Sequence, residues 1–294
     1  MLEGLLRRML ESAAKAASST ALGGVLADAL AVMLAGTVSF SHKPDACAAA
    51  GQALADLGFD IDALSCYSKA VRLEPTNALA WYGKGVLLYR MGRYAEAERC
   101  LQIAAESSAS EEWTPSFWYW RAQALIELAR DLDAIACLDK ALDIDPGFAD
   151  AWESMGICFH YSGKFEEALI CYDRTIDIIP VHSSAWLNRG YALARLERHD
   201  EAMRSFDQAL RYDPECVEGW IGKGHVLEVY GQLEEAISLY DRALLIDPEC
   251  VDALMDKADC LEELGRHEEA EQCLDTVVSL EVRDLDLLLS GHVL

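Results

Sequence analysis

Basic residues are scarce in this chain. It carries 25 Lys and Arg against 50 Asp and Glu, a net charge of −25. A surface this negative repels nucleic acid, because phosphate binding needs clustered Lys and Arg. Proline is also rare, at 7 in 294 residues, and the 19 glycines follow no collagen-like period. Fibrous and low-complexity sequence is therefore excluded. The ten cysteines form no CxxC pair, and no phosphate loop, HExxH or GxSxG motif occurs. Disulfide scaffolds are normally shorter and loop-rich, so a reducing cytoplasm is the expected setting. The charge is uneven: residues 1–43 hold four basic and three acidic residues, so the remainder carries −26. A partner of that remainder is expected to be basic or apolar rather than acidic.

What the sequence does contain is a period. Pro75 is followed six residues later by Trp81, Pro146 by Trp152, Pro180 by Trp186 and Pro214 by Trp220. Pro146, Pro180, Pro214 and Pro248 stand 34 residues apart. With Trp set as position 4, units begin at 44, 78, 115, 149, 183, 217 and 251. Position 8 is then Gly51, Gly85, Ala122, Gly156, Gly190, Gly224 and Ala258. Position 20 is alanine in all seven: Ala63, Ala97, Ala134, Ala168, Ala202, Ala236 and Ala270. Position 24 is large: Tyr67, Leu101, Leu138, Tyr172, Phe206, Tyr240 and Leu274.

Small and large residues in one fixed order have a packing reason. Each unit reads as two antiparallel helices with a tight connection near position 15, where Gly58, Gly92, Gly163, Gly231 and Gly265 suit a left-handed C-cap. Small residues at positions 8 and 20 let the two helices approach, since interaxial distance follows the contact side chains. Large residues at positions 4, 11 and 24 fill the space between units, and Pro at position 32 ends the second helix. One such unit cannot bury its apolar face alone, so stacking makes the core.

The 34-residue period and these positions resemble the tetratricopeptide repeat. The run Ala185-Trp186-Leu187-Asn188-Arg189-Gly190 is similar to the pattern of many prokaryotic repeat proteins. The resemblance implies an all-α fold, a right-handed superhelical solenoid of antiparallel helix pairs. Its expected organisation is seven units at 44–77, 78–114, 115–148, 149–182, 183–216, 217–250 and 251–283, with a C-terminal capping helix over 284–294. The stretch Ser107–Thr114 interrupts the period and reads as a loop that bends the array. Residues 1–43 read as a degenerate capping repeat. The apolar run from Ala21 to Phe40 is long enough for a membrane anchor, but Asp28 within it would be costly in lipid.

The cysteines recur at repeat positions, Cys66, Cys100, Cys137, Cys171 and Cys273 all at position 23, and read as small core hydrophobes. No metal or cofactor is expected, because metal ligands must converge on a point rather than recur along a row. Carboxylates such as Asp173, Asp207 and Asp241 read as solvated helix faces, and the position-4 tryptophans as core. No catalytic residues are expected.

The resemblance implies that ligands lie in a concave groove lined by positions 2, 5, 6, 9, 12 and 13 of the first helices. One subclass of the family grips a C-terminal carboxylate with Lys at position 5 and Asn at position 9. Here position 5 is Ala48, Tyr82, Tyr119, Glu153, Leu187, Ile221 and Met255, so that clamp is not expected. The groove residues that stand out are Tyr82, Tyr89, Arg90, Tyr119, Trp120, His160, Tyr161, Tyr191 and Arg195, followed by acids including Glu228 and Asp259. Aromatics and Arg are favoured interface anchors. Residues 217–283 hold 17 acidic and 5 basic residues. The expected function is a cytoplasmic scaffold that binds a protein or peptide, apolar with a basic part. A membrane-tethered assembly or chaperone-like adaptor, a regulatory subunit of an enzyme, and self-association through the N-terminus are the alternatives.

Overall fold

A computed structural model describes the backbone of residues 43–107 and 113–291 and side chains as far as residue 283. Residues 1–42, which hold nearly all of the expected capping repeat and the whole of the alternative anchor at 21–40, lie outside the described residues. So does most of the 107–114 insertion.

Among the described residues there are fourteen α-helices and no strand. They fall into two compact units, divided after Pro146. The first unit holds α1 (Pro44–Asp56), α2 (Asp60–Leu73), α3 (Ala78–Arg90), α4 (Tyr94–Ser107), α5 (Pro115–Ile126) and α6 (Asp131–Ile144). The second holds α7 (Ala149–Tyr161), α8 (Phe165–Ile178), α9 (Ser183–Arg195), α10 (His199–Tyr212), α11 (Val217–Val229), α12 (Leu233–Ile246), α13 (Val251–Glu263) and α14 (His267–Gly291). Each odd helix packs mainly on the even helix that follows it, making a hairpin, and hairpins stack within each unit.

The hairpin connection is the same seven times. The N–H after the turn returns to a carbonyl five residues earlier, as in Phe59 to Leu54, Arg93 to Leu88 and Arg198 to Leu193, each at 2.9 Å. This Schellman closure needs a left-handed residue at the turn. Five hairpins use glycine there, but Ala129 (φ 54°) and Glu197 (φ 59°) adopt the same conformation without it. Acidic residues crowd the first turn of the even helices, for example Asp60 and Asp62 on α2 and Glu234 and Glu235 on α12, where they complement the helix dipole.

The core follows the repeat. All seven position-20 alanines are 0% exposed. A Cβ added at Gly190 would lie 2.6 Å from the Phe206 ring, and one at Gly85 2.7 Å from Leu101. Position 8 therefore admits only the smallest side chains where position 24 is large. The position-4 tryptophans depart from the expected core role: they are half-buried at the hairpin boundary. Their indole N–H groups reach back to the preceding loop, Trp81 donating to the Pro75 carbonyl (2.9 Å), Trp186 to Pro180 (2.9 Å) and Trp220 to Pro214 (3.1 Å). An indole must keep its edge near that polar loop to satisfy its donor, so the ring cannot sink fully inward.

The reading of Asp173, Asp207 and Asp241 as solvated faces also changes. Each takes a cation from position 7 of the next hairpin: Arg189 to Asp173 at 2.7 Å, Lys223 to Asp207 at 2.7 Å, and Lys257 to Asp241 at 2.6 Å. Two of these cations also sit over position-4 rings, Arg189 over Trp186 (5.7 Å) and Lys223 over Trp220 (5.7 Å). The acids are half-exposed, so each rung contributes at most about 0.2–1 kcal/mol. Their regular spacing fixes register more than it adds stability.

Candidate functional site

The first helices of neighbouring hairpins touch one another within each unit. In the first unit that face is aromatic. Tyr82 on α3 meets Phe117 on α5 (5.5 Å between ring centroids) and Trp113 just before α5 (5.9 Å, edge to face). Trp113 stacks on Phe117 at 3.8 Å, and Phe117 in turn meets Trp118 edge-on at 5.1 Å. A second chain of rings runs beside it: Tyr94 on Tyr89 (5.3 Å), Tyr89 on Trp120 (5.4 Å), and Trp120 on Tyr119 (5.7 Å). Edge and tilted contacts of this kind match the aromatic quadrupole and hold each ring in place. Tyr82, Tyr89, Tyr119 and Trp120 nevertheless remain part-exposed. Burial pushes the Tyr82 and Tyr89 phenols above their ordinary range, so both stay neutral hydrogen-bonding groups. Arg90 is exposed and lies 3.9 Å from Asp60.

Sequence reasoning missed three of these rings. Trp113 precedes its repeat, within an interruption read as a loop. Phe117 stands at position 3, where the other stacked first helices from α3 to α13 have Ala80, Ala151, Ala185, Gly219 and Ala253. Tyr94 opens a second helix. The signal that was available was the large residue at a small-residue position, directly after the extra three residues.

In the second unit the face is mixed and then acidic. His160 meets Phe165 (5.1 Å) and Tyr161 (6.1 Å) edge-on, and the Arg195 guanidinium lies 5.3 Å over Phe165. Burial, with the Arg195 charge behind it, pulls His160 below the usual imidazole range, so it is neutral near pH 7. Tyr161 is 80% exposed. Tyr191 is tied into the structure: its hydroxyl donates to the Glu218 carbonyl (2.8 Å) and its ring packs on Phe206 (5.1 Å). Glu228 is likewise engaged, accepting from the Tyr240 hydroxyl (2.5 Å) and the Cys260 thiol (3.2 Å). Next to it His225 on α11 bonds Asp256 on α13 at 2.7 Å. That bond, with Glu228 and Asp252 nearby, raises the His225 pKa. Asp259, Glu262, Asp252 and Glu218 are exposed on the same helices.

No three His, Cys, Asp or Glu side chains converge as a metal site would require among the described residues. Eight of the ten cysteines are buried; Cys216 and Cys250 are half-buried. Burial pushes the Cys66 thiol up to about 11 and the Cys260 thiol, beside Glu228, to about 12, which makes them poor nucleophiles. An open concavity of about 350 Å³ at the α9–α10 turn is lined by Arg198, Asp200, Arg204 and Tyr230 among others. Within it Arg198 donates to Glu201 (2.7 Å) and Tyr230 to Asp200 (2.7 Å). No described helix is long and apolar enough to cross a membrane.

Comparisons with known proteins agree with this architecture. Models of the tetratricopeptide repeat match residues 51–92, 87–149, 183–216, 201–247 and 230–287. No curated protein matches the chain. Among solved structures, YrrB is described as a tetratricopeptide repeat protein with an unusual peptide-binding site. It is 22% identical over 62% of this chain and 92% of its own, with a TM-score of 0.56. A tetratricopeptide repeat protein from Parabacteroides merdae is 16% identical over 81% of this chain and 93% of its own, with a TM-score of 0.65. MamA is 22% identical over 56% and 95%, with a TM-score of 0.52. At these identities the likeness is one of fold. Proteins of this repeat are in general scaffolds for other proteins rather than enzymes. Repeat positions, hairpin geometry and the matching models together place the chain in the tetratricopeptide repeat family, as a protein-interaction scaffold.

Proposed function

We propose that the chain binds protein partners through its first-helix faces, and that the two units select different chemistry. The first unit takes an apolar segment against Tyr82, Tyr89, Tyr119 and Trp120. The second takes a segment that ends in basic residues, against Tyr161 and Arg195 and then the acids around Asp252, Asp256 and Asp259. The observation that carries this reading is the Tyr89–Trp120–Tyr119 row: three rings held in fixed contact with one another and still part-exposed. Rigid aromatic surface binds at low entropic cost, because little side-chain freedom remains to be lost. The acids supply steering and orientation for a basic segment more than raw affinity. The peptide-binding site ascribed to YrrB supports a peptide as the ligand class.

An array of immobilised peptides that pair an apolar stretch with a Lys- or Arg-rich end tests the reading. The full chain is expected to bind a subset of them. The Tyr119→Ala/Tyr161→Ala double variant is expected to lose about tenfold or more in affinity, the scale of one or two aromatic anchors. Undiminished binding by that variant removes the first-helix face as the site.

A further inference from the structure

The last described helix departs from every earlier second helix. At position 24 the earlier hairpins hold Tyr67, Leu101, Leu138, Tyr172, Phe206 and Tyr240, none more than 2% exposed; Leu274 is 43% exposed. At position 28, Val71, Leu142 and Leu210 are 6–8% exposed, whereas Val278 is 56% exposed. Val282, 54% exposed, stands at position 32, where five earlier units have proline. With no proline to stop it, α14 runs on to Gly291.

What covers this row elsewhere in the second unit is a first helix, and its recognition follows a rule. At the Phe206 interface position 6 is Gly222, where a Cβ would come within 2.6 Å of the ring; at the other two interfaces it is Asn188 and Asp256. The next residue in each, a Lys or Arg, reaches the acid at position 25. Asp173, Asp207 and Asp241 are each met in this way at 2.6–2.7 Å. On α14 position 25 is Asp275, exposed, and no ion pair falls to it among the described residues. The face therefore presents the apolar row and the acid in the register of the filled interfaces, with neither covered.

We propose that this face docks the first helix of a helical-repeat hairpin carried on a partner polypeptide. The docking helix has a Lys or Arg opposite Asp275, as Arg189, Lys223 and Lys257 stand opposite the acids of the filled interfaces. A second copy of this chain fits poorly. Its outermost described first helix, α1, has Ala50 in place of the cation. Pairing α14 with another α14 would set Glu271, Asp275 and Glu281 against their own copies.

The test uses the full chain and a fluorescein-labelled, hydrocarbon-stapled helical peptide with the sequence of Val217–Val229, which carries Gly222 and Lys223. Anisotropy is expected to show saturable binding. Val278→Glu and Asp275→Lys, both at exposed positions, are each expected to weaken it by about tenfold or more. A peptide with Lys223→Glu is expected to bind the Asp275→Lys chain within about threefold of the original pair, because the rung is rebuilt with its charges exchanged. Circular dichroism of the variants checks that the fold is intact. No saturable binding, or affinity unchanged by both substitutions, overturns the proposal. So does a homodimer in sedimentation that Val278→Glu dissolves, which would assign the face to a second copy.

Discussion

First helices α3 and α5 of the first unit touch through rings, whereas those of the second unit touch through polar groups. On α3 and α5 the contacts are Tyr82 with Phe117 and Tyr89 with Trp120. On α9, α11 and α13 they are Tyr191 with the Glu218 carbonyl, His225 with Asp256, and Glu228 with Cys260. The stacking faces differ in the same sense. The second unit has three Lys or Arg rungs to Asp. At the two hairpin interfaces inside the first, Ser68 and Gln102 occupy the acid's position, and Arg121 turns instead to the buried Glu98 at 3.6 Å. One hairpin design thus tolerates two ways of joining neighbours. The small residues at positions 8 and 20 make the hairpin; the residues that face the next hairpin are free to diverge and so to set the ligand chemistry.

The strongest way to break this comparison is to give the first unit the second unit's residue. Phe117→Ala installs what α7, α9 and α13 have at position 3. Pattern alone would call it harmless. Phe117 is 0% exposed and stacked on Trp113, so its loss leaves a cavity and strips Trp113 of its partner. Denaturant unfolding is expected to show a loss of about 3–5 kcal/mol. A cost below about 1 kcal/mol, the scale of a well-relaxed swap, would mean that the rings decorate the first unit and do not hold it.

The same residue shows how far the sequence could be read. The hairpins were legible because their determinants recur: seven alanines at position 20, large residues at position 24 and Pro at position 32 are local rules repeated at a fixed period. Contacts between hairpins join residues from 16 to 35 apart, and only some of them recur. The Asp at position 25 and the cation at position 7 do recur, at 173 and 189, 207 and 223, and 241 and 257, yet each looks like a solvated charge until the two are set side by side. Trp113 and Phe117 belong to a break in the period, where a repeat frame has nothing to say. Tyr191 and Glu228 were legible as face residues, but their hydrogen bonds to Glu218 and Tyr240 depend on geometry the sequence does not carry.

A smaller effect sharpens what the two units share. Ala129 in the first and Glu197 in the second hold the left-handed turn that glycine holds in the other five hairpins. A side chain there costs about 1–2 kcal/mol in local backbone energy, part of which glycine gives back as chain entropy in the unfolded state. Ala129→Gly and Glu197→Gly are each expected to stabilise by about 0.5–1 kcal/mol. Equal gains would mean that the turn is strained alike in both units. A gain at one site alone would mean that the other unit has already compensated for its strain.

The smallest effect separates the units by pH. His225 is held by Asp256 with Glu228 and Asp252 near it, and its pKa is raised, so the charged form is favoured in the fold. The unfolded imidazole titrates near ~6.5. The stability that His225 contributes is therefore complete below that pH and is lost as pH rises through the higher folded value. His160 has the opposite sign. Burial lowers its pKa, so the neutral ring is favoured, and the stability tied to it is present above ~6.5 and lost as pH falls toward the folded value. Both lie in the second unit, on α7 and α11, and the described part of the first unit has no histidine to answer them. Imidazole resonances followed by NMR are expected to bracket the free value, His225 above and His160 below. Asp256→Asn removes the charged acceptor and is expected to bring His225 down while leaving His160 where it was. If His225 keeps its raised pKa in that variant, the polar link between α11 and α13 is not what sets it, and the contrast between a ring-joined and a charge-joined unit loses its clearest electrostatic mark.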